Sequence, residues 1–243
     1  MKQLILLLIV LGTLSCHPTR YGLSRVENKT MRVDASSVSS NTQLDALIAP
    51  YKRSMDSTMN DKIAYAPYDL DKKNPESLLG NWVTDGIKWY MDSVAKMPCD
   101  VAFCNYGGLR IKSLSKGDIK LKNIFELMPF DNAITLIELD ESNLKLFLES
   151  MLTHGGWPMS RGLKIVVDDH NSIKSIQKTP IEKPVYTIAI SDYIANGGDN
   201  MDLLAKLPHR NTTFKIRDIL IEYARYQNIL NAILDGRIFK EKK

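Results

Sequence analysis

The chain has 243 residues, 44% of them apolar, with 32 Lys and Arg against 28 Asp and Glu. That length suits one ordinary domain with a sizeable core. A formal charge of +4, with no basic stripe interleaved with aromatics, excludes a nucleic-acid partner as the organising feature.

The N-terminus differs from the rest. Met1-Lys2-Gln3 is a short polar start with one positive charge, and Leu4 to Leu14 is almost wholly apolar. About eleven such residues are too few to span a bilayer and suit a signal-peptide core. The run ends in Thr13-Leu14-Ser15-Cys16, which resembles a bacterial lipobox with Thr13 where Leu is usual. Cleavage before Cys16 and lipidation of its sulfur are expected, with plain secretion as the alternative. The predicted organisation is a signal peptide (1–15), a polar lipidated tether (16–40) and one folded domain (41–243). The lipid alone would join the domain to a membrane, outside the cytoplasm, in the periplasm or at the cell surface.

Thr42 to Asn60 is predicted helical, with Leu44, Leu47, Ile48, Tyr51 and Met55 at three- and four-residue spacing. Residues 63–66 read as a short strand and 69–74 as a charged loop. The clearest helix is 76–96, whose stripe is Leu79, Val83, Ile87, Tyr90 and Val94, with Pro98 as its stop. A strand is expected at 101–104, a short helix at 121–128 and a strand at 133–139. Asp140 can cap a helix carrying Leu144, Phe147, Leu148 and Met151, which Gly155-Gly156-Trp157-Pro158 ends. Segments 163–167 and 172–177 form a predicted hairpin, 186–191 a strand and 214–227 the last long helix. Helices interspersed with strands and hairpins predict an α/β (α+β) fold, a single layered domain with mixed sheets covered by helices.

Cys99 and Cys104 would lie roughly 16 Å apart on an extended segment. A disulfide needs Cα atoms within about 7 Å. Two free, buried thiols are therefore expected, and no Cys/His cluster has zinc spacing.

Two glycine pairs carry the chemistry. Asn105-Tyr106-Gly107-Gly108-Leu109-Arg110 follows the predicted strand 101–104, and Ala195-Asn196-Gly197-Gly198-Asp199 follows the strand at 186–191. Glycine permits positive φ and close approach of a ligand. Asn, Arg, Tyr and Asp around the two pairs point to one pocket for a ligand with several polar handles. Taken singly, each feature has a plainer alternative: a tight turn, a core ring at Phe130 or Tyr193, an Asx-turn at Asp199.

Six segments in order carry a family resemblance. They are Gly80-Asn81-Trp82-Val83-Thr84-Asp85-Gly86, the 105–110 hexad, Gly117-Asp118-Ile119, Pro129-Phe130-Asp131-Asn132, the 191–199 segment and Gly236-Arg237-Ile238. Together they resemble the C-terminal, substrate-binding domain of the 5'-nucleotidase family. The resemblance implies that Phe130 and Tyr193 sandwich a base, with Tyr193 where many members carry Phe. It implies that Asp199 holds the ribose hydroxyls and that Asn105 and Arg110 supply polar contacts. Gly107, Gly108, Asn196, Gly197 and Gly198 complete the implied substrate-binding set, with no catalytic residue and no metal ligand in this chain. The chemistry is consistent: stacking contributes roughly 1–3 kcal/mol per base, and a carboxylate accepting from neighbouring hydroxyls forms charge-assisted bonds. One departure stands out. Where members often carry an arginine before the first long helix, this chain reads Asp71-Lys72-Lys73-Asn74-Pro75-Glu76. A lysine supplies a point charge but no bidentate fork.

In the family, a separate N-terminal metallophosphatase domain holds two metal ions and cleaves the phosphate ester. Its ligand strings do not occur here except Asp168-Asp169-His170, which falls at a predicted hairpin turn without companion ligands. The expectation is no cofactor in this chain, divalent metals in a separate metallophosphatase partner, and a nucleotide or nucleoside as ligand. The alternative is a surface lipoprotein that binds nucleosides or nucleotides without catalysis.

Overall fold

A computed structural model of the chain describes Gly22 and residues 25–31, 41–178 and 183–241. The predicted signal peptide, the lipobox with Cys16 and most of the tether lie outside the described residues. The chain divides into two units, 1–49 and 50–243. Gly22 and residues 25–31 carry no regular secondary structure. Helix α1 (Thr42–Met59) starts where Asn41 caps it, the Asn41 Oδ1 accepting from the Gln43 and Leu44 amides at 3.1 Å. Its apolar stripe, Leu44 to Met55, is exposed.

After α1 come β1 (Lys62–Ala66), β2 (Leu70–Asp71) and α2 (Leu78–Trp89), which passes into a π-helical turn, Tyr90–Val94. Next are β3 (Val101–Ala102), β4 (Ser113–Leu114), β5 (Gly117–Lys120) and α3 (Leu121–Leu127). Then follow β6 (Ala133–Asp140), α4 (Glu141–Thr153), β7 (Leu163–Val167), β8 (Ile173–Lys178) and β9 (Val185–Ser191). The chain closes with α5 (Asp192–Ala195), α6 (Asp202–Ala205), β10 (His209–Lys215), α7 (Ile216–Gln227) and β11 (Ile238–Lys240).

The central sheet is mixed, in the order β10-β6-β9-β3, with β6 antiparallel to β9 and β3 parallel to it. Both its faces are buried, which explains why residues 134–137 are all buried, without the polar alternation of a one-sided strand. Ile134 and Leu136 face one core with Leu79, Trp82 and Ile87 of α2 and Ile219 and Leu220 of α7. Ile137 and Leu139 face the other, with Leu144, Phe147 and Met151 of α4 and Ile165 of β7. The layered α/β architecture predicted from the element order is the one found.

The sheet's register positions everything that follows. Ile134 at the start of β6 pairs with Ser191 at the end of β9, and Ala102 at the end of β3 pairs with Ala189. The turn before β6, the turn after β9 and the loop after β3 therefore leave the sheet at the same end.

Some boundaries moved. The predicted strand 101–104 is only two residues of ladder, continued by a bridge from Phe103 to Met159. The helix expected to start at 214 starts at Ile216, because 209–215 forms β10 at the edge of the central sheet. Its residues His-Arg-Asn-Thr-Thr-Phe-Lys show no apolar alternation, so the pattern gave no strand signal. Asp168 closes the β7–β8 turn, its carboxylate accepting from the His170 and Ser172 amides at 2.8 and 2.9 Å. Cys99 and Cys104 are both free and buried, as expected, and burial pushes each thiol up to about 12.

One buried cation ties the C-terminal segment to α2. Arg237 is 1% exposed, and its guanidinium donates to both carboxylate oxygens of Asp85 at 2.8 and 2.7 Å. It also donates to the Met159 carbonyl and to Asp235. Replacing Arg237 by Met removes the guanidinium from the Met159 carbonyl and from both carboxylates, leaving Asp85 and Asp235 close together with only the longer bonds from Arg161, at 3.2 and 3.3 Å. The expected loss is about 3–5 kcal/mol in urea unfolding; a change below about 1 kcal/mol would mean that Arg161 and the solvent already in contact with the two carboxylates make up for the lost guanidinium.

Candidate functional site

Three turns meet at the shared end of the sheet. They enclose a cavity of about 360 Å³ lined by Asn105, Gly107, Gly108, Arg110, Phe130, Asn132, Tyr193 and Asp199. That volume falls within the roughly 300–1,000 Å³ usual for small-molecule sites.

The first turn is the loop after β3. Asn105 is 6% exposed, and its side-chain amide donates to Asp199 Oδ2 at 2.6 Å, joining positions 94 residues apart. The glycines that follow serve space rather than left-handed backbone, since neither has positive φ. A Cβ on Gly107 would sit 3.2 Å from the Asn105 Nδ2, and one on Gly108 would sit 3.0 Å from its Oδ1. Side chains there would press on the asparagine that reaches Asp199. Arg110 folds back over the loop, donating to the Gly107 carbonyl at 3.3 Å.

The second turn joins α3 to β6 and carries Phe130, 42% exposed. The Arg110 guanidinium lies 5.5 Å from the Phe130 ring centroid, within cation–π range. The turn is fixed from behind: Asp131 pairs with Lys215 and Arg217, and Arg217 also donates to the Pro129 carbonyl. Hydrogen bonds from Lys215 and Arg217 hold the Asp131 carboxyl below the usual carboxylate range.

The third turn follows β9. Ser191 caps α5, and Gly197 takes φ 94°, a left-handed conformation open to glycine. Asp199 is itself left-handed at φ 53° and points its carboxylate into the cavity, where Oδ1 accepts from the Tyr193 hydroxyl at 3.0 Å. Gly198 lies under the Tyr193 ring; a Cβ there would come within 2.6 Å of Cε1 and Cζ.

Of the ten substrate-contact positions expected from sequence, seven line the cavity: Asn105, Gly107, Gly108, Arg110, Phe130, Tyr193 and Asp199. Asn196, Gly197 and Gly198 build the turn instead; the Asn196 amide donates to the Asp192 carbonyl at 2.8 Å. Asn132 was missed, although it closes the Phe130-Asp131-Asn132 segment. Lys72, weighed as a point charge for a ligand, has another task. Its ammonium donates to the Tyr106 and Leu109 carbonyls at 2.9 and 2.7 Å and so clamps the 105–110 loop from outside the cavity. Burial, its largest perturbation, holds the Lys72 pKa below the ordinary lysine value. Lys73 is exposed and pairs with Asp71 at 3.4 Å.

The donor set suits a neutral or anionic organic ligand: two exposed rings, one carboxylate, side-chain amides and a guanidinium. It does not suit a metal. The cavity offers a single carboxylate, and among the described residues no group of three or more His, Cys, Asp or Glu could hold an ion. Nor, among them, is any helix long and apolar enough to cross a membrane.

The fold is a mixed α/β domain with an aromatic and polar cavity at the end of its central sheet. Residues 58–206 match the family described as 5'-nucleotidase, C-terminal domain, and the chain belongs to that family. It is 25% identical over 181 residues to a trifunctional nucleotide phosphoesterase protein of Bacillus subtilis, covering 65% of this chain and 12% of that protein. It is 24% identical over 193 residues to a probable 5'-nucleotidase of Treponema pallidum, covering 69% of this chain and 32% of that one. The crystal structure of a 5'-nucleotidase precursor from Thermus thermophilus matches with a TM-score of 0.71 at 26% identity, over 82% of this chain and 43% of the other. The chain thus spans less than half the length of each of these relatives.

Lys72→Met keeps the length and apolar stem but removes two charge-assisted bonds, worth about 1.5–3 kcal/mol each. The Gly108 and Leu109 amides, which close the loop on the Asn105 and Tyr106 carbonyls, should then exchange hydrogen faster. Unchanged protection would show that the loop stands without its clamp.

Proposed function

We propose that this domain recognises the nucleoside part of a nucleotide for a 5'-nucleotidase-type phosphohydrolase. In this reading the domain is anchored by lipid outside the cytoplasm, and a separate metallophosphatase chain supplies the divalent metals and the hydrolytic step. The observation that carries it is the convergence of Phe130, Tyr193, Asn105, Arg110 and Asp199 on one cavity. A base stacks on the exposed rings, the carboxylate accepts from the ribose hydroxyls, and the guanidinium faces the phosphate side. The family, and the names of the relatives in Bacillus and Treponema, support the substrate class.

The division of labour has a direct test. The purified chain, given AMP with Mn or Zn, should bind the nucleotide and release no phosphate; a metallophosphatase co-purified from the native host should restore release. Robust hydrolysis by this chain alone would overturn the division, and binding with no such partner would favour a non-catalytic capture protein. Phe130→Ala and Tyr193→Ala should each weaken nucleoside binding by roughly 1–3 kcal/mol in calorimetry. Unchanged affinity in both variants would place the base elsewhere. Asp199→Asn should penalise nucleosides more than free bases.

A further inference from the structure

We propose that the Tyr193 hydroxyl joins base stacking and ribose recognition into one cooperative unit, with Asp199 as the shared anchor. The proposal rests on the nucleotide reading of the cavity and goes beyond it by coupling two contacts.

Both oxygens of the Asp199 carboxylate are engaged within the protein. Oδ1 accepts from the Tyr193 hydroxyl at 3.0 Å and Oδ2 from the Asn105 amide at 2.6 Å. A carboxylate offers about four acceptor sites, so one further site remains on each oxygen. Two sites on adjacent oxygens match the two hydroxyls of a vicinal diol. The internal bonds therefore orient the group for ribose without using up its capacity.

The same bond acts on the ring. Tyr193 is 50% exposed, and packing alone does not enclose it. It is held at two points, by Gly198 beneath it and by the hydroxyl bond to Asp199 at its tip. Asp199 is in turn held by its left-handed backbone and by Asn105. A ring fixed before the ligand arrives does not lose rotamer freedom on binding. Phenylalanine at this position would stack but would have no link to the carboxylate. This makes Tyr193 a ring that touches the base and also a positioning residue for the diol site.

The coupling predicts an effect that independent contacts would not produce. A free base has no hydroxyls for Asp199, yet its affinity should depend on Asp199 through the ring. The experiment titrates the full chain with adenine and uracil and with their nucleosides, followed by NMR. Asp199→Ala should weaken free-base binding by about two- to tenfold, the range of one net hydrogen bond. In the Y193F background, D199A should leave free-base affinity unchanged. Asp199→Asn, which retains an acceptor for the tyrosine, should spare the free bases while weakening the nucleosides. Should D199A fail to fold, Tyr193→Phe alone decides: it should weaken free-base binding about two- to tenfold through the freed ring and nucleoside binding at least as much, because the diol carboxylate also loses a positioning bond. If D199A or Y193F leaves free-base affinity at the wild-type value while D199A costs nucleosides, the two contacts are independent and the coupling is overturned. If the wild-type chain binds neither bases nor nucleosides, the nucleotide reading falls and the coupling with it.

Discussion

The register of three neighbouring strands is the constraint on which the cavity depends. Ser191 pairs with Ile134 and Ala189 with Ala102, so two strand ends and one strand start lie side by side. A slip of one residue would exchange the faces of β6 and place Ile134 and Leu136 in the opposite core. Both faces are filled with tightly packed apolar side chains, so such a slip would misplace every one of them. Packing on both sides of the sheet thus sets the positions of the turns, which add Leu109 and Met128 to one core and Ile194 and Met201 to the other. Phe130, Tyr193 and Arg110 are exposed, yet each stands one or two positions from a buried residue that fixes the chain there: Met128, Ile194 and Leu109.

The turns are then fixed by polar contacts arriving from behind. Lys72 holds the carbonyls of the 105–110 loop, and Arg217 and Lys215 hold the 129–132 turn. The glycines have divided roles. Gly197 supplies a left-handed backbone, whereas Gly107, Gly108 and Gly198 supply room for Asn105 and Tyr193. Positive φ, the usual first reason for a glycine pair, applies at one of these four positions. Close approach between protein groups accounts for the other three.

Periodicity made the long elements legible. The α2 stripe, the Asp140 cap and the β7–β8 hairpin all appear near their predicted places, because amphipathic spacing and turn residues are local signals. β10 was illegible because an edge strand with polar residues has no alternation to detect. The length of β3 was misjudged for another reason: an apolar run records burial, and Phe103 and Cys104 are buried beyond the end of the ladder. In the site, residues with a motif position could be named from sequence. Lys72 could be noticed but not given its role, since nothing local tells whether an ammonium faces a ligand or a pair of carbonyls 34 and 37 residues away. The Tyr193–Asp199 bond was equally hidden, because it depends on the left-handed turn between them.

The residues that hold the fold together and those exposed in the cavity are separate sets. The two cores and the buried Arg237–Asp85 pair require none of the cavity's exposed groups. Phe130 and Tyr193 keep large apolar rings in water, 42% and 50% exposed, at a cost that scales with apolar area. Packing alone gives no reason for two such rings to border one cavity beside an oriented carboxylate. A flat ligand that covers both rings and satisfies the carboxylate removes that cost on binding, so the free energy missing from the empty fold reappears as affinity. Truncating either ring therefore acts mainly on the bound state, and its effect on binding can be read without a large correction for unfolding. Asn105 is the exception. It is buried and also bonds the Asp199 carboxylate, so the packed loop and the open cavity meet at that one side chain.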